Sequence, residues 1–172
     1  MVEMKMSRAW AMPSPWTFSI PPIDEFVTRW AEGVVVDPFA ASSGRASHSN
    51  DLDPDAPTDF HLEAGEYCAV LAAHGVVADA VLFDPPYSPH QISTQYKRIG
   101  LEVGVEEAQN GRLYKRVRDG LDVLLRPGGI ALSFGWNSAG FGKTRGYEIQ
   151  EILLVAHGGA HNDTICVAER KP

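Results

Sequence analysis

Ala78-Asp79-Ala80-Val81-Leu82-Phe83-Asp84-Pro85-Pro86-Tyr87 decides how this chain folds. Residues 78–83 are a short apolar run, long enough for a buried strand and too short for a helix. Pairing must stop at Pro85 and Pro86, because proline has no backbone N–H to give to a ladder. A carboxylate, two carbonyls without local donors and a phenol ring are thereby delivered to the end of a buried strand.

Upstream, Val34-Val35-Val36-Asp37-Pro38-Phe39 repeats the arrangement: a β-branched run, then an acid and a proline. Gly33 separates it from a helix that opens at Pro21-Pro22, with Asp24 and Glu25 at its positive end. Ile23, Phe26, Val27 and Trp30 fall at helical spacing. Residues 1–20, with Trp10, Pro13, Pro15 and Trp16, read as an irregular arm packed by its aromatics. Between the two acid–proline ends, residues 47–52 and 59–64 read as short strands. Residues 66–74 read as a helix that Gly75 closes.

Downstream, residues 88–104 form a polar segment longer than an ordinary loop. Residues 106–125 read as a helix with Leu113, Val117, Leu121 and Leu124 on one side. Arg126-Pro127-Gly128-Gly129 breaks the chain before a third buried strand at 130–134. Residues 147–157 and 164–169 read as two strands joined by a Gly-rich turn, hence antiparallel. Strands alternating with helices predict an α/β fold with a mostly parallel sheet and an antiparallel C-terminal hairpin. In such sheets ligands bind outside the carboxyl ends of the strands, where Asp37 and Asp84 fall.

The 172 residues suit one domain, 1–172, with no room for a separate target-recognition domain. The net charge is −7, which argues against strong nonspecific binding to nucleic acid. Charge is uneven: residues 51–66 hold six acids and no Lys or Arg, and residues 97–118 hold six bases against three acids. That basic stretch (Lys97, Arg98, Arg112, Lys115, Arg116, Arg118) reads equally as a phosphate contact or as a solvated helix face. Cys68 and Cys166 make neither a disulfide framework nor a zinc site, which suits a reducing, cytoplasmic setting. No run reaches the roughly 20 apolar residues of a membrane helix. The residues His157, His161 and Asn162 lack a ligand set for a metal.

Asp84-Pro85-Pro86-Tyr87 suits a planar substrate that bears an amino group. The carboxylate and a fixed carbonyl accept its two N–H bonds, and the ring offers a stacking face. This motif, in this context, resembles that of amino-methyltransferases using S-adenosylmethionine (SAM), and the likeness runs through nearly the whole chain. Residues 34–40 resemble the family's first SAM-binding motif, although its two glycine positions read Ala41 and Ser43, with a glycine only at Gly44. Asp51-Leu52-Asp53-Pro54 resembles the ribose-binding motif, with Asp51 ahead of Asp53 for that role. Asp59-Phe60 resembles the segment beside the SAM adenine, and Phe18 sits in a segment that packs on the methionine end. The tail, including Leu132-Ser133-Phe134-Gly135-Trp136-Asn137, is similar to small adenine-specific DNA methyltransferases of viral and prokaryotic origin.

The resemblance implies a Rossmann-like class I methyltransferase sheet. It implies SAM held by Phe18, Asp37, Phe39, Asp51, Asp59 and Phe60, and Asp84, Pro85, Pro86 and Tyr87 as the catalytic motif. The implied reaction is methylation of an exocyclic amine of a nucleobase, N6 of adenine in DNA first. N4 of cytosine, N2 of guanine in RNA and a noncatalytic nucleic-acid-binding descendant stay open. A small reading surface leaves a homodimer open as well.

Overall fold

The computed structural model describes residues 4–86 and 110–172. Its centre is a seven-stranded sheet: β1 (Lys5–Trp10), β2 (Val35–Asp37), β3 (His48–Ser49), β4 (Ala78–Phe83), β5 (Leu125–Gly135), β6 (Glu148–Ala156) and β7 (Thr164–Arg170). The spatial order is β1-β6-β7-β5-β4-β2-β3. β7 is antiparallel to both neighbours, and every other pairing is parallel. The expected parallel sheet with an antiparallel closing hairpin is the observed one.

Helix α1 (Pro21–Trp30) packs on one face of the sheet. Its Ile23, Phe26 and Val27 join Leu82, Leu132, Phe134, Leu153 and Val155 in one core cluster. Helices α2 (Ala64–Ala73) and α3 (Asn110–Leu124) cover the other face. There Tyr67, Cys68, Leu71, Val117, Leu121 and Leu124 meet Val36, Val81 and Ala131. The two helices lie so close at Gly120 that a Cβ there would stand 2.6 Å from the Cβ of Cys68.

Three expectations need correction. The first twenty residues are not wholly irregular: residues 5–10 form β1, which extends the sheet beside β6. Exposed on one face and only half-buried at Ser7 and Ala9 on the other, β1 lacks the apolar run that announces a buried strand. Lys5 anchors it through an ion pair with Glu151 at 3.2 Å. The segments at 47–52 and 59–64 shrink to β3 and a single bridge, Asn50 to Phe60. The break at 126–129 is a bulge within β5, since Ala78 and Ala80 face Leu125 and Ile130.

No helix fills the crossover between β2 and β3, although parallel neighbours are usually linked by one. Residues 38–47 make that passage as a looped turn. Its polar backbone is tied down by side chains instead.

Candidate active site

The carboxyl ends of β2, β3, β4 and β5 lie along one edge of the sheet. Asp37 closes β2 and is fully buried. Its Oδ1 accepts the Phe39 N–H at 2.9 Å, which turns the chain at Pro38. Its Oδ2 is buried without a hydrogen-bond partner. Burial pushes the Asp37 carboxyl up to about 8; the Phe39 bond opposes this, and the charges of Asp84 and Asp51 add to it. Three carboxyl groups from three adjacent passages of chain therefore converge.

Asp51 spends both oxygens on backbone. Oδ2 accepts from Ala41 N–H at 3.0 Å and Oδ1 from Asp53 N–H at 2.9 Å. A carboxylate has about four lone-pair sites, so it retains capacity for a ligand. Ala41, in the first of the two glycine positions, adopts φ +45°, the only positive φ at a non-glycine residue among those described. The left-handed turn that glycine would make freely is thus made by alanine, with Asp51 clamping its N–H.

Asn50 organises this edge and was not singled out by its sequence context. Fully buried, it donates to the carbonyls of Pro38 at 3.1 Å and Leu62 at 2.9 Å, and accepts from Leu62 N–H at 2.9 Å. Its backbone carbonyl accepts from Ala40 N–H. An asparagine after a two-residue strand carries no pattern that reveals such a bracket.

Asp59 serves structure. Its Oδ2 accepts from the Ser49 N–H and hydroxyl, each at 2.8 Å, and those bonds hold its carboxyl below the usual range. Phe60 is half-buried, its ring 5.5 Å from that of Tyr67. Phe39 lies edge-on to Phe83 at 6.1 Å. Phe18 is a core residue, T-shaped against Phe134 at 5.0 Å, next to the end of β5.

Past the end of β4, Asp84 is half-buried, Pro85 buried and Pro86 half-buried. Tyr87, Lys97, Arg98 and the segment 88–104 lie outside the described residues. Beyond Pro85 opens a cleft of about 250 Å³, lined among others by Phe83, Tyr114, Arg118, Ser133, Trp136 and Asn137. The hydroxyls of Tyr114 and Ser133 are buried there without partners. Arg118 sits 5.5 Å over the Phe83 ring and donates to the Gly140 carbonyl at 2.8 Å.

The bases of α3 find partners within the protein, although Lys115 and Arg116 stay largely exposed. Lys115 pairs with Asp119 at 2.7 Å, Arg116 with Glu63 at 3.3 Å, and Arg118 with carbonyls. His157 is buried with both ring nitrogens engaged, by the Ala11 carbonyl and the Thr164 hydroxyl, each at 2.9 Å. Among the described residues no group of three or more His, Cys, Asp or Glu is placed to hold a metal. No described helix is long and apolar enough to cross a membrane.

No protein-family model matches the chain, and no curated protein matches it. Solved structures do. TrmN from Thermus thermophilus is 18% identical with a TM-score of 0.58, over 89% of this chain and 49% of its own. A candidate methyltransferase complexed with SAH is 12% identical with a TM-score of 0.57, over 81% of this chain and 45% of its own. A methyltransferase homologue from Pyrococcus horikoshii is 12% identical with a TM-score of 0.55, over 88% of this chain and 65% of its own. The chain spans about half the length of the first two structures. What it shares with all three is the Rossmann-like class I methyltransferase fold.

Proposed function

We propose that this chain transfers a methyl group from SAM to an exocyclic amino group of a nucleobase, with N6 of adenine in DNA as the target its sequence resemblance implies. The observation that carries the reading is the convergence of Asp37, Asp51 and Asp84 at the carboxyl edge, beside Pro85. SAM is a cation at its sulfonium and at its amino group. A buried, unpartnered carboxyl oxygen on Asp37, raised by neighbouring acids, is a fit for such a cation. A structure of the same fold holds SAH, which supports the same choice of cofactor.

When bound, SAM supplies an electrophilic methyl group. Asp37 faces positive charge, and Asp51 has lone pairs left for ribose hydroxyls. Phe60, at the neighbouring bridge, offers a ring to the adenine. Asp84 and the Pro85 carbonyl accept hydrogen bonds from the two N–H groups of the target amine, one of whose protons leaves to solvent with or after the transfer. They thereby turn its lone pair out of conjugation with the base and toward the methyl group. Their gain is positional and electrostatic. A base within a duplex cannot present its amine this way, so the substrate is a flipped or unpaired base.

The test is transfer of tritiated methyl groups to duplex DNA, single-stranded DNA and RNA, followed by identification of the labelled nucleoside. Asp84→Ala should abolish transfer and leave SAM affinity within a few-fold. Equal loss of both would move Asp84 to the cofactor. An unlabelled product in all three arms, with SAM bound, would leave a binding protein on this fold.

A further inference from the structure

We infer that the carboxyl edge carries a tryptophan platform on which unpaired bases of a single-stranded nucleic acid stack. The inference rests on the nucleobase reading above for its setting, and on separate observations for its content.

Three of the four tryptophans are exposed: Trp10 at 64%, Trp16 at 49% and Trp136 at 45%. Trp30 alone is drawn inward, its Nε1 donating to Glu151 at 2.8 Å. The exposed three all lie at the edge that holds Asp84. Trp10 ends β1, beside the turn after β6, since a Cβ on Gly158 would meet its indole nitrogen at 3.4 Å. Trp16 belongs to the passage from β1 to α1. That passage stays at this edge: Ala11 bonds to Ala156 and His157, and Phe18 packs on Phe134 near the end of β5. Trp136 follows the last residue of β5. In the order β1-β6-β7-β5-β4, Trp10 and Trp136 stand three strand spacings apart, about 14 Å. Asp84 is one strand further on. The indoles thus mark a track from the outer strand to the acceptor motif.

Charge and ring faces together favour a single strand. The chain carries −7, and among the described residues Lys115, Arg116, Arg118 and Arg145 pair with its own groups, while Arg8, two residues before Trp10 on β1, is exposed. A duplex offers mainly phosphates to a surface, and among the described residues the tryptophan edge offers few cations for them. A single strand offers the faces of its bases, and every base can stack on an indole whatever its identity. Binding that rests on stacking is weakly dependent on salt.

The experiment uses oligothymidylate, which has no exocyclic amine and so reads the platform without the acceptor site. Oligouridylate and a mixed-sequence duplex are the other probes, with binding followed by quenching of tryptophan fluorescence and by anisotropy of a labelled strand. Trp10→Ala and Trp16→Ala should each weaken oligothymidylate by roughly 5- to 150-fold, from the range for one stacked base. Trp10→Phe should recover most of that loss. These side chains are exposed, and unchanged thermal unfolding of each variant shows that the fold is intact. The log–log salt slope should lie between 0 and about −1.5, two phosphate contacts or fewer on a single strand. Tighter binding of either single strand than of the duplex supports the platform, and the two single strands separate DNA from RNA. Variants that bind as the wild type, a duplex preference, or a steep slope would each overturn it. Loss of methyl transfer with tryptophan-dependent binding retained would sink the catalytic reading and leave the platform standing.

Discussion

Ala41 shows how one residue can keep a turn and carry its strain. Its φ of +45° is a conformation that crowds an L side chain against its own backbone, at about 1–2 kcal/mol. The turn persists because Asp51 accepts the Ala41 N–H, and Asn50 accepts that of Ala40 and holds Pro38. Glycine at this position relieves the strain and loses some of the gain to a freer unfolded chain. Ala41→Gly should therefore stabilise the protein by about 0.5–1 kcal/mol in urea unfolding, and tighten SAM by letting the backbone approach it. A destabilised variant would show that the alanine methyl has its own packing role.

Among the elements, α2 and α3 illustrate what the pattern of apolar residues reveals and what it omits. α3 was legible from its spacing and α2 from the glycine that closes it; β2, β4, β6, β7 and the 130–134 part of β5 were legible because buried strands write themselves as apolar runs. Gly120 within α3 looks like a weak point in a helix. Replacing a helical glycine by alanine normally gains about 1 kcal/mol. Here the sign reverses. The new Cβ would stand 2.6 Å from the Cβ of Cys68, and neither atom is at the end of a flexible side chain, so one helix must move. Gly120→Ala should cost about 1–3 kcal/mol, read as a lower urea midpoint with unchanged slope. An unaltered or raised midpoint would mean that the helices separate at no cost. The features that sequence did not reveal share a cause: each depends on a remote partner. β1 needs β6 and Glu151, Arg116 needs Glu63, and Asn50 needs Pro38 and Leu62. The placement of Asp37, Asp51 and Asp84 at the carboxyl edge was legible, since Asp37 and Asp84 precede prolines and Asp51 follows a short strand. The structural use of Asp59 was hidden, because Ser49 lies ten positions away.

For the molecule as a whole, two sets of carboxyl groups impose opposite slopes on stability against pH. Asp79, Asp119 and Asp59 are held below the usual range by hydrogen bonds from Val34, from Lys115 and from Ser49 respectively. Burial opposes the same shift at Glu151, but bonds from Trp30 and Lys5 and the charge of Arg29 outweigh it. Between their folded values and about 4 the unfolded chain binds more protons, so stability rises with pH across that window. Asp37 behaves the other way. Burial raises it to about 8, so from about 4 up to 8 the folded chain binds the extra proton and stability falls as pH rises. Glu169 adds to that fall, its carboxyl raised by burial against bonds from Phe141 and Gly142. Stability should therefore peak in mild acid, near about pH 4–5, and decline toward pH 8, as urea unfolding across that range would show. Asp37→Asn keeps the shape and cannot ionise. It should flatten most of the decline and raise stability at pH 7 by on the order of 2 kcal/mol, while weakening SAM. A wild-type curve that climbs from pH 5 to 8, or a variant that declines as steeply, would remove the buried proton from Asp37. The same proton ties stability to the cofactor. A cation seated against Asp37 favours its ionised form, so SAM should bind more tightly as pH rises toward about 8 and release a proton below it. Titration calorimetry in buffers of different ionisation enthalpy reads that proton directly, and Asp37→Asn should abolish it.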